Sequence, residues 1–202
     1  MLAFVMPSGV VVVLAFGAVL LMAGLHHTDG VMDVGDALMV RGSRERRREV
    51  LKDARTGAGA VGALFIVYAP ALVGLAALVD ASPIRAAAAL VAGEVAARSA
   101  MLLLLVFGRP AEENSSSAYF VRSLKEGRHR VAAQVFALAL PAVVALSLGR
   151  VAVVLAVGAP AMTVVFALAL ARRAFGGISG DVAGATGELA RALFLVALSA
   201  AV

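Results

Sequence analysis

The feature that most constrains this 202-residue chain is the separation of its apolar and charged residues along the sequence. Six apolar stretches, 1–25, 59–79, 86–107, 131–148, 151–171 and 182–202, alternate with short connections that hold most of the charge. A helix needs about 20 mostly apolar residues to cross a bilayer, and most of these stretches reach that length. The chain is 62% hydrophobic and 15% charged, whereas a soluble domain is about 45–50% apolar and roughly 25% charged. The fold class expected is therefore all-α: a polytopic integral membrane bundle of about six transmembrane helices, one domain over 1–202 with no internal repeat. The fourth stretch is short. The last carries Glu188 and Arg191, so part of it is expected to face protein or water rather than lipid. The first has no Lys or Arg ahead of its apolar run and no small-residue cleavage signal before His26, so it reads as a span rather than a signal peptide. With no cysteine in the chain, disulfides and thiolate chemistry are excluded.

The basic residues define a topology. Arg41, Arg44, Arg46, Arg47, Arg48, Lys52 and Arg55 fall between the first two stretches. Arg109, Arg122, Lys125, Arg128 and Arg130 fall between the third and fourth, and Arg172 and Arg173 between the fifth and sixth. The alternate connections carry only Arg85 and Arg150. If the helices alternate, all three basic connections lie on one side, and the positive-inside rule assigns that side to the cytoplasm of a cell membrane. The net charge of +5 is thus read as membrane topology and not as a nucleic-acid footprint. Within the first basic connection, Ser43 is placed to cap a short helix. That helix either lies at anionic headgroups or holds phosphates.

The acidic residues are clustered as well. Asp29, Asp33 and Asp36 follow an i, i+4, i+7 spacing, which puts three carboxylates on one face of a helix. Their mutual repulsion calls for an offset, and a divalent cation with oxygen ligands is the obvious candidate. The plainer reading is a solvated acidic helix end. Asp181 and Glu188 share a second face, with Gly184 and Ala185 between them allowing close approach of a helix or ligand. Asp181 is also placed to N-cap the last helix. Ionisable groups at or within a span are functional-site candidates. Glu94 and Arg98 have the spacing of an intrahelical ion pair, and Arg98 could instead face a phosphate. Asp53 and Arg55 pose the same choice. His26 and His27 point to different helix faces and make no paired zinc site, while one of them could serve as a general base.

These residues resemble the cobalamin synthases, the adenosylcobinamide-GDP ribazoletransferases. The family's G-x-L-H-x-D-G-L-A-D-T-x-D-G pattern is matched by Gly24, Leu25, His27, Asp29, Gly30, Asp33 and Asp36. Asp53, Arg55 and Gly57 match a D-x-R step followed by glycine, and Arg98 with Met101 an R-x-x-M. The closing F-G-G-I-[ST]-G-D-V-x-G-A-x-x-E looks like Phe175 through Glu188. Two positions depart from the pattern: Ala37 stands for the usual glycine, and 111–117 replaces a glycine-rich loop. The family usually has a further segment before the first span, so the chain is expected to begin inside it.

The resemblance implies a Mg²⁺-dependent transfer that joins adenosylcobinamide-GDP to α-ribazole or its 5′-phosphate, with GMP as leaving group. It implies that Asp29, Asp33, Asp36 and Asp181 hold Mg²⁺ and that Asp29, Asp33 or His27 does the proton chemistry. Asp53, Arg55, Arg98, Arg173 and Glu188 are then the substrate-binding residues. A homo-oligomer is left open. Two rivals are weighed. A CDP-alcohol phosphotransferase calls for D-x-x-D-G-x-x-A-R, but Asp29-Gly30 is followed here by Val-Met-Asp. An ion-coupled transporter would suit intramembrane acids and glycines, but it predicts inverted repeats, and none is visible.

Overall fold

The computed structural model describes residues 6–125 and 127–201; residues 1–5 of the first apolar stretch and Val202 of the last lie outside the described residues. The described chain is helical: α1 (Ser8–Met22), α2 (His26–Met39), α3 (Arg44–Val50), α4 (Ala58–Ala81), α5 (Pro83–Phe107), α6 (Ser116–Ser123), α7 (Gly127–Ala145), α8 (Arg150–Ala174) and α9 (Gly180–Ser199). Among the described residues five helices are long and apolar enough to cross a membrane: α4, α5, α7 with the short 3₁₀ turn that extends it to Leu148, α8 and α9. A sixth crossing arises only if α1 and α2 count as one broken span, because they meet at 94°. The polytopic helix bundle expected from the apolar stretches is therefore observed.

Two details differ from the sequence expectation. The fourth span is not short: α7 begins at Gly127, so Arg128 and Arg130 lie in its first turn rather than in a connection. The first stretch is not one straight helix. Gly24 and Leu25 both have positive φ, +84° and +58°, which stops α1 and redirects the chain. For Leu25 that left-handed conformation costs about 1–2 kcal/mol, a cost the surrounding packing must offset.

The redirected helix α2 enters the bundle. Tyr68 Oη and Thr28 Oγ1 are hydrogen-bonded at 3.0 Å, and Ala60 N donates to Asp36 at 2.9 Å, so α2 runs antiparallel to α4. It runs antiparallel to α9 as well, with Gly30 against Asp181 and His27 against Gly184. Glycine makes these approaches feasible. A Cβ on Gly30 would sit 2.6 Å from the Asp181 carbonyl, and one on Gly59 would sit 2.6 Å from that of Gly35. The core is rich in alanine, with Ala89, Ala92, Ala96, Ala97 and Ala100 of α5 buried, so the interior is built on close backbone approach, as in membrane bundles. α9 is the most enclosed span, and its Arg191, Phe194 and Leu195 are fully buried.

The basic connections meet at one end, as alternation requires. Arg44 Nε donates to the Arg173 carbonyl at 3.1 Å, and Arg48 Nη1 reaches the Ala111 carbonyl at 3.4 Å. Lys52 pairs with Glu112 at 2.8 Å. Ser43 caps α3 as expected, accepting from Arg46 N at 3.3 Å.

Candidate active site

At the basic end, α2, the start of α9 and the 51–60 segment enclose an open cavity of about 440 Å³. Asp29, Asp33, Asp36, Asp53 and Asp181 line it, with Lys52 and Arg55 on its rim. The helical spacing of the α2 acids thus does put them on one face. The tight α2–α9 contact at Gly30 brings Asp181 to the same wall.

The carboxylates are not equivalent. Asp36 accepts from Gly57 N at 2.6 Å and from Ala60 N at 2.9 Å. It satisfies amides at the start of α4 that have no partner within that helix, and it stands at the positive end of the helix dipole. The cap of α9 is not Asp181 but Ser179, whose Oγ accepts from Val182 N at 3.2 Å. Asp181 sits in the first turn beside it and accepts from Ser179 Oγ at 3.3 Å, with its carboxylate on the cavity. Asp53 and Arg55 are bonded to each other at 2.7 Å and 3.0 Å. Hydrogen bonds from the Arg55 side chain and backbone hold the Asp53 carboxyl down at about 2. Among the described residues no three His, Cys, Asp or Glu side chains converge closely enough to hold a metal together. The donor set still fits Mg²⁺, because that ion takes one or two carboxylates and fills its octahedron with water and substrate phosphates. It does not form an all-protein cage.

Arg98, His27 and Glu188 lie deeper. Arg191 of α9 makes short ion pairs with Glu94 of α5 and Glu188 of its own helix. Glu188 also accepts from Tyr68 Oη at 2.9 Å, and Glu94 pairs with Arg98 at 3.2 Å. Phe16 covers Arg191, with its ring centroid 4.9 Å from the guanidinium carbon. Glu188 is 2% exposed and does not line the acidic cavity. The expected Glu94–Arg98 pair is present, as one edge of a larger network. Arg98 Nη1 stands 2.7 Å from His27 Nδ1. Guanidinium only donates, so Nδ1 accepts and the proton of neutral His27 resides on Nε2. Arg173 is exposed in the last turn of α8 and meets Arg44 through its backbone carbonyl.

Sequence reasoning passed over Tyr68 and Arg191 as site members, and Lys52 as a cavity residue. A lone hydroxyl and a lone guanidinium inside apolar spans were the available signals. Lys52 had none, standing in a run of basic residues.

Fold and site together define a multi-pass membrane protein with a carboxylate-lined cavity at its basic end. The model of the cobalamin-5-phosphate synthase family matches residues 1–199, and the chain belongs to that family. It is similar to proteins named adenosylcobinamide-GDP ribazoletransferase. The one from Halorubrum lacusprofundi is 38% identical over 93% of this chain and 75% of its own length. The one from Azorhizobium caulinodans is 35% identical, over 95% of this chain and 72% of the relative. The one from Halobacterium salinarum is 32% identical over 96% of both. No solved structure matches the chain.

Proposed function

We propose that the chain is an adenosylcobinamide-GDP ribazoletransferase of cobalamin biosynthesis, working at the acidic cavity. The observation that carries the reading is the meeting of α2 and α9 carboxylates in one open cavity at the basic end, in a chain of this family. A hydroxyl of α-ribazole, or of its 5′-phosphate, attacks the cobinamide-side phosphorus of adenosylcobinamide-GDP. The new P–O bond forms as the bond to the GMP phosphate breaks, GMP keeps the electron pair, and the hydroxyl proton passes to a carboxylate. Asp29 and Asp33 are the acceptors best placed for it, since the Nδ1 of His27 is occupied by Arg98.

One or two of Asp29, Asp33 and Asp181 would hold Mg²⁺, with Asp29 or Asp33 left for the proton; the ion would supply charge neutralisation on the pyrophosphate and polarisation at phosphorus. Asp36 supports them by anchoring α4. Arg55 at the rim is the cation placed to take phosphate charge, exchanging Asp53 for the substrate. Arg98 and Glu188 act from beneath, fixing α2, α5 and α9. The basic end is assigned to the cytoplasm of the cell membrane by its arginines, where nucleotide and Mg²⁺ are supplied.

The test uses purified protein in liposomes with adenosylcobinamide-GDP, α-ribazole and Mg²⁺. Cobalamin and GMP should form in equal amounts, and EDTA should stop the reaction. No product from the wild type, or full activity after Asp33→Ala, would overturn the reading.

A further inference from the structure

A second cavity, of about 220 Å³, adjoins the acidic one and shares Leu51, Lys52 and Asp181 with it. Its other walls come from the loop after α5, the start of α6 and the turn before α9. Its chemistry is different. Leu51, Ala111 and Ile178 give it apolar surface, Ser116 and Ser117 give hydroxyls, and Arg48, Lys52 and Glu112 give charge of both signs. An apolar wall with hydroxyls and one exposed carboxylate suits a nucleoside. The acidic cavity, crowded with negative charge, suits a phosphate only when a cation bridges them. The large cavity on the other face of α2 is walled by residues such as Val31, Val34, Ile66 and Phe166 and carries no charged residue, so it offers nothing to a nucleotide.

We infer that this second cavity is the nucleotide subsite, holding the guanosine of the donor while its pyrophosphate spans the shared wall into the acidic cavity. The inference rests on the transferase reading above. Lys52 stands where the two cavities join. In the free protein it is bound to both oxygens of Glu112, at 2.8 Å and 2.9 Å. That pair is 66% and 44% exposed and therefore easily opened. With donor bound, Lys52 turns to the phosphate nearest the nucleoside. Glu112 is then released to accept from the N1–H and N2–H of guanine, a pattern that adenine lacks. Glu112 is thus the specificity-determining residue and Lys52 the phosphate cation. Arg48 holds the cavity wall in place through the carbonyls of Ala111 and Phe175.

The experiment measures binding of GMP and AMP to the full-length protein in detergent by equilibrium dialysis, beside the liposome assay. Wild type should bind GMP at least about tenfold tighter than AMP, the discrimination expected where a purine edge is read by a charged acceptor. Glu112→Gln should weaken GMP about tenfold and leave AMP unchanged. Lys52→Ala should weaken both about equally. Ser116→Tyr, on an exposed position that fills the cavity, should abolish binding of both while leaving the unfolding temperature as in wild type. Active wild-type liposomes together with unaltered GMP binding in Glu112→Gln and Ser116→Tyr would overturn the subsite and leave the transferase reading standing. Wild type that binds GMP selectively but forms no cobalamin would overturn the transferase reading instead.

Discussion

The acidic cavity and the buried ion network share α9, about 10 Å apart along it from Asp181 to Glu188, and they treat charge in opposite ways. In the network, Glu94 and Glu188 are matched by Arg98 and Arg191, with Tyr68 donating to the same Glu188 oxygen that Arg191 takes. In the cavity, Asp29, Asp33 and Asp181 share the wall, and the arginine at its rim, Arg55, is paired with Asp53 instead. Unmatched ions are costly in a low-dielectric interior, so the deep set carries its own counter-charges. At the open end water lowers that cost, and the unmatched carboxylates remain available to a cation from outside. One set of charges holds helices together, and the other is left for ligand.

That contrast can be broken by exchanging the two roles. Asp33→Asn should lower activity the most, by about 10³-fold, because several kcal/mol of cation-borne stabilisation are lost. Its unfolding temperature should hardly change, as read by light scattering in detergent. Arg191→Met should do the reverse, costing roughly 3–5 kcal/mol by stranding buried Glu188 and leaving Glu94 to Arg98. Adding Glu188→Met should recover part of that loss, which a thermal-unfolding comparison of single and double variants would show. Gly30→Ala stands between the two regions. Its Cβ would lie 2.6 Å from the Asp181 carbonyl, so α2 and α9 must part. A loss of about 1–3 kcal/mol with a fall in activity is expected.

Asp36→Asn sharpens the division within the cavity. The two Asp36 oxygens accept from different amides and asparagine keeps one acceptor, so stability should fall by about 1–3 kcal/mol, while activity should fall far less than in Asp33→Asn. Equal losses in the two would move Asp36 from anchor to ligand. The smallest effect concerns Asp53. Its folded value is depressed from 3.8 to about 2 by Arg55, so any stabilisation from the pair is present above about 4 and lost only as pH falls through about 2. A ¹³C NMR titration of the Asp53 carboxyl from pH 8 down to about 3 should therefore stay nearly flat, whereas Arg55→Gln should restore an ordinary carboxylate step near 3.8.

Much of this was readable from residue order alone. Apolar length is a local property and so is charge segregation, which is why the spans and the common side of the basic connections were legible. The i, i+4, i+7 spacing of Asp29, Asp33 and Asp36 is equally local, and the structure keeps it as one helix face. The turn at Gly24 and Leu25 was not legible, since leucine carries no signal for a left-handed conformation. Nor was the exchange of capping duty from Asp181 to Ser179, because both residue types cap well and only the backbone path chooses between them.

The sequence by itself determined that the chain is a membrane helix bundle, which end gathers the cations, and which helix faces bear acids. These follow from hydrophobic length and helical period. The tertiary structure decided which acids meet. Glycines at 30, 35, 59 and 184 let α2 sink between α4 and α9, and that depth brings Asp181 to the α2 carboxylates. The same packing turns Glu188 toward Arg191 in the interior. Partnership between helices depends on how closely their backbones approach, and that distance is a property of the packed bundle.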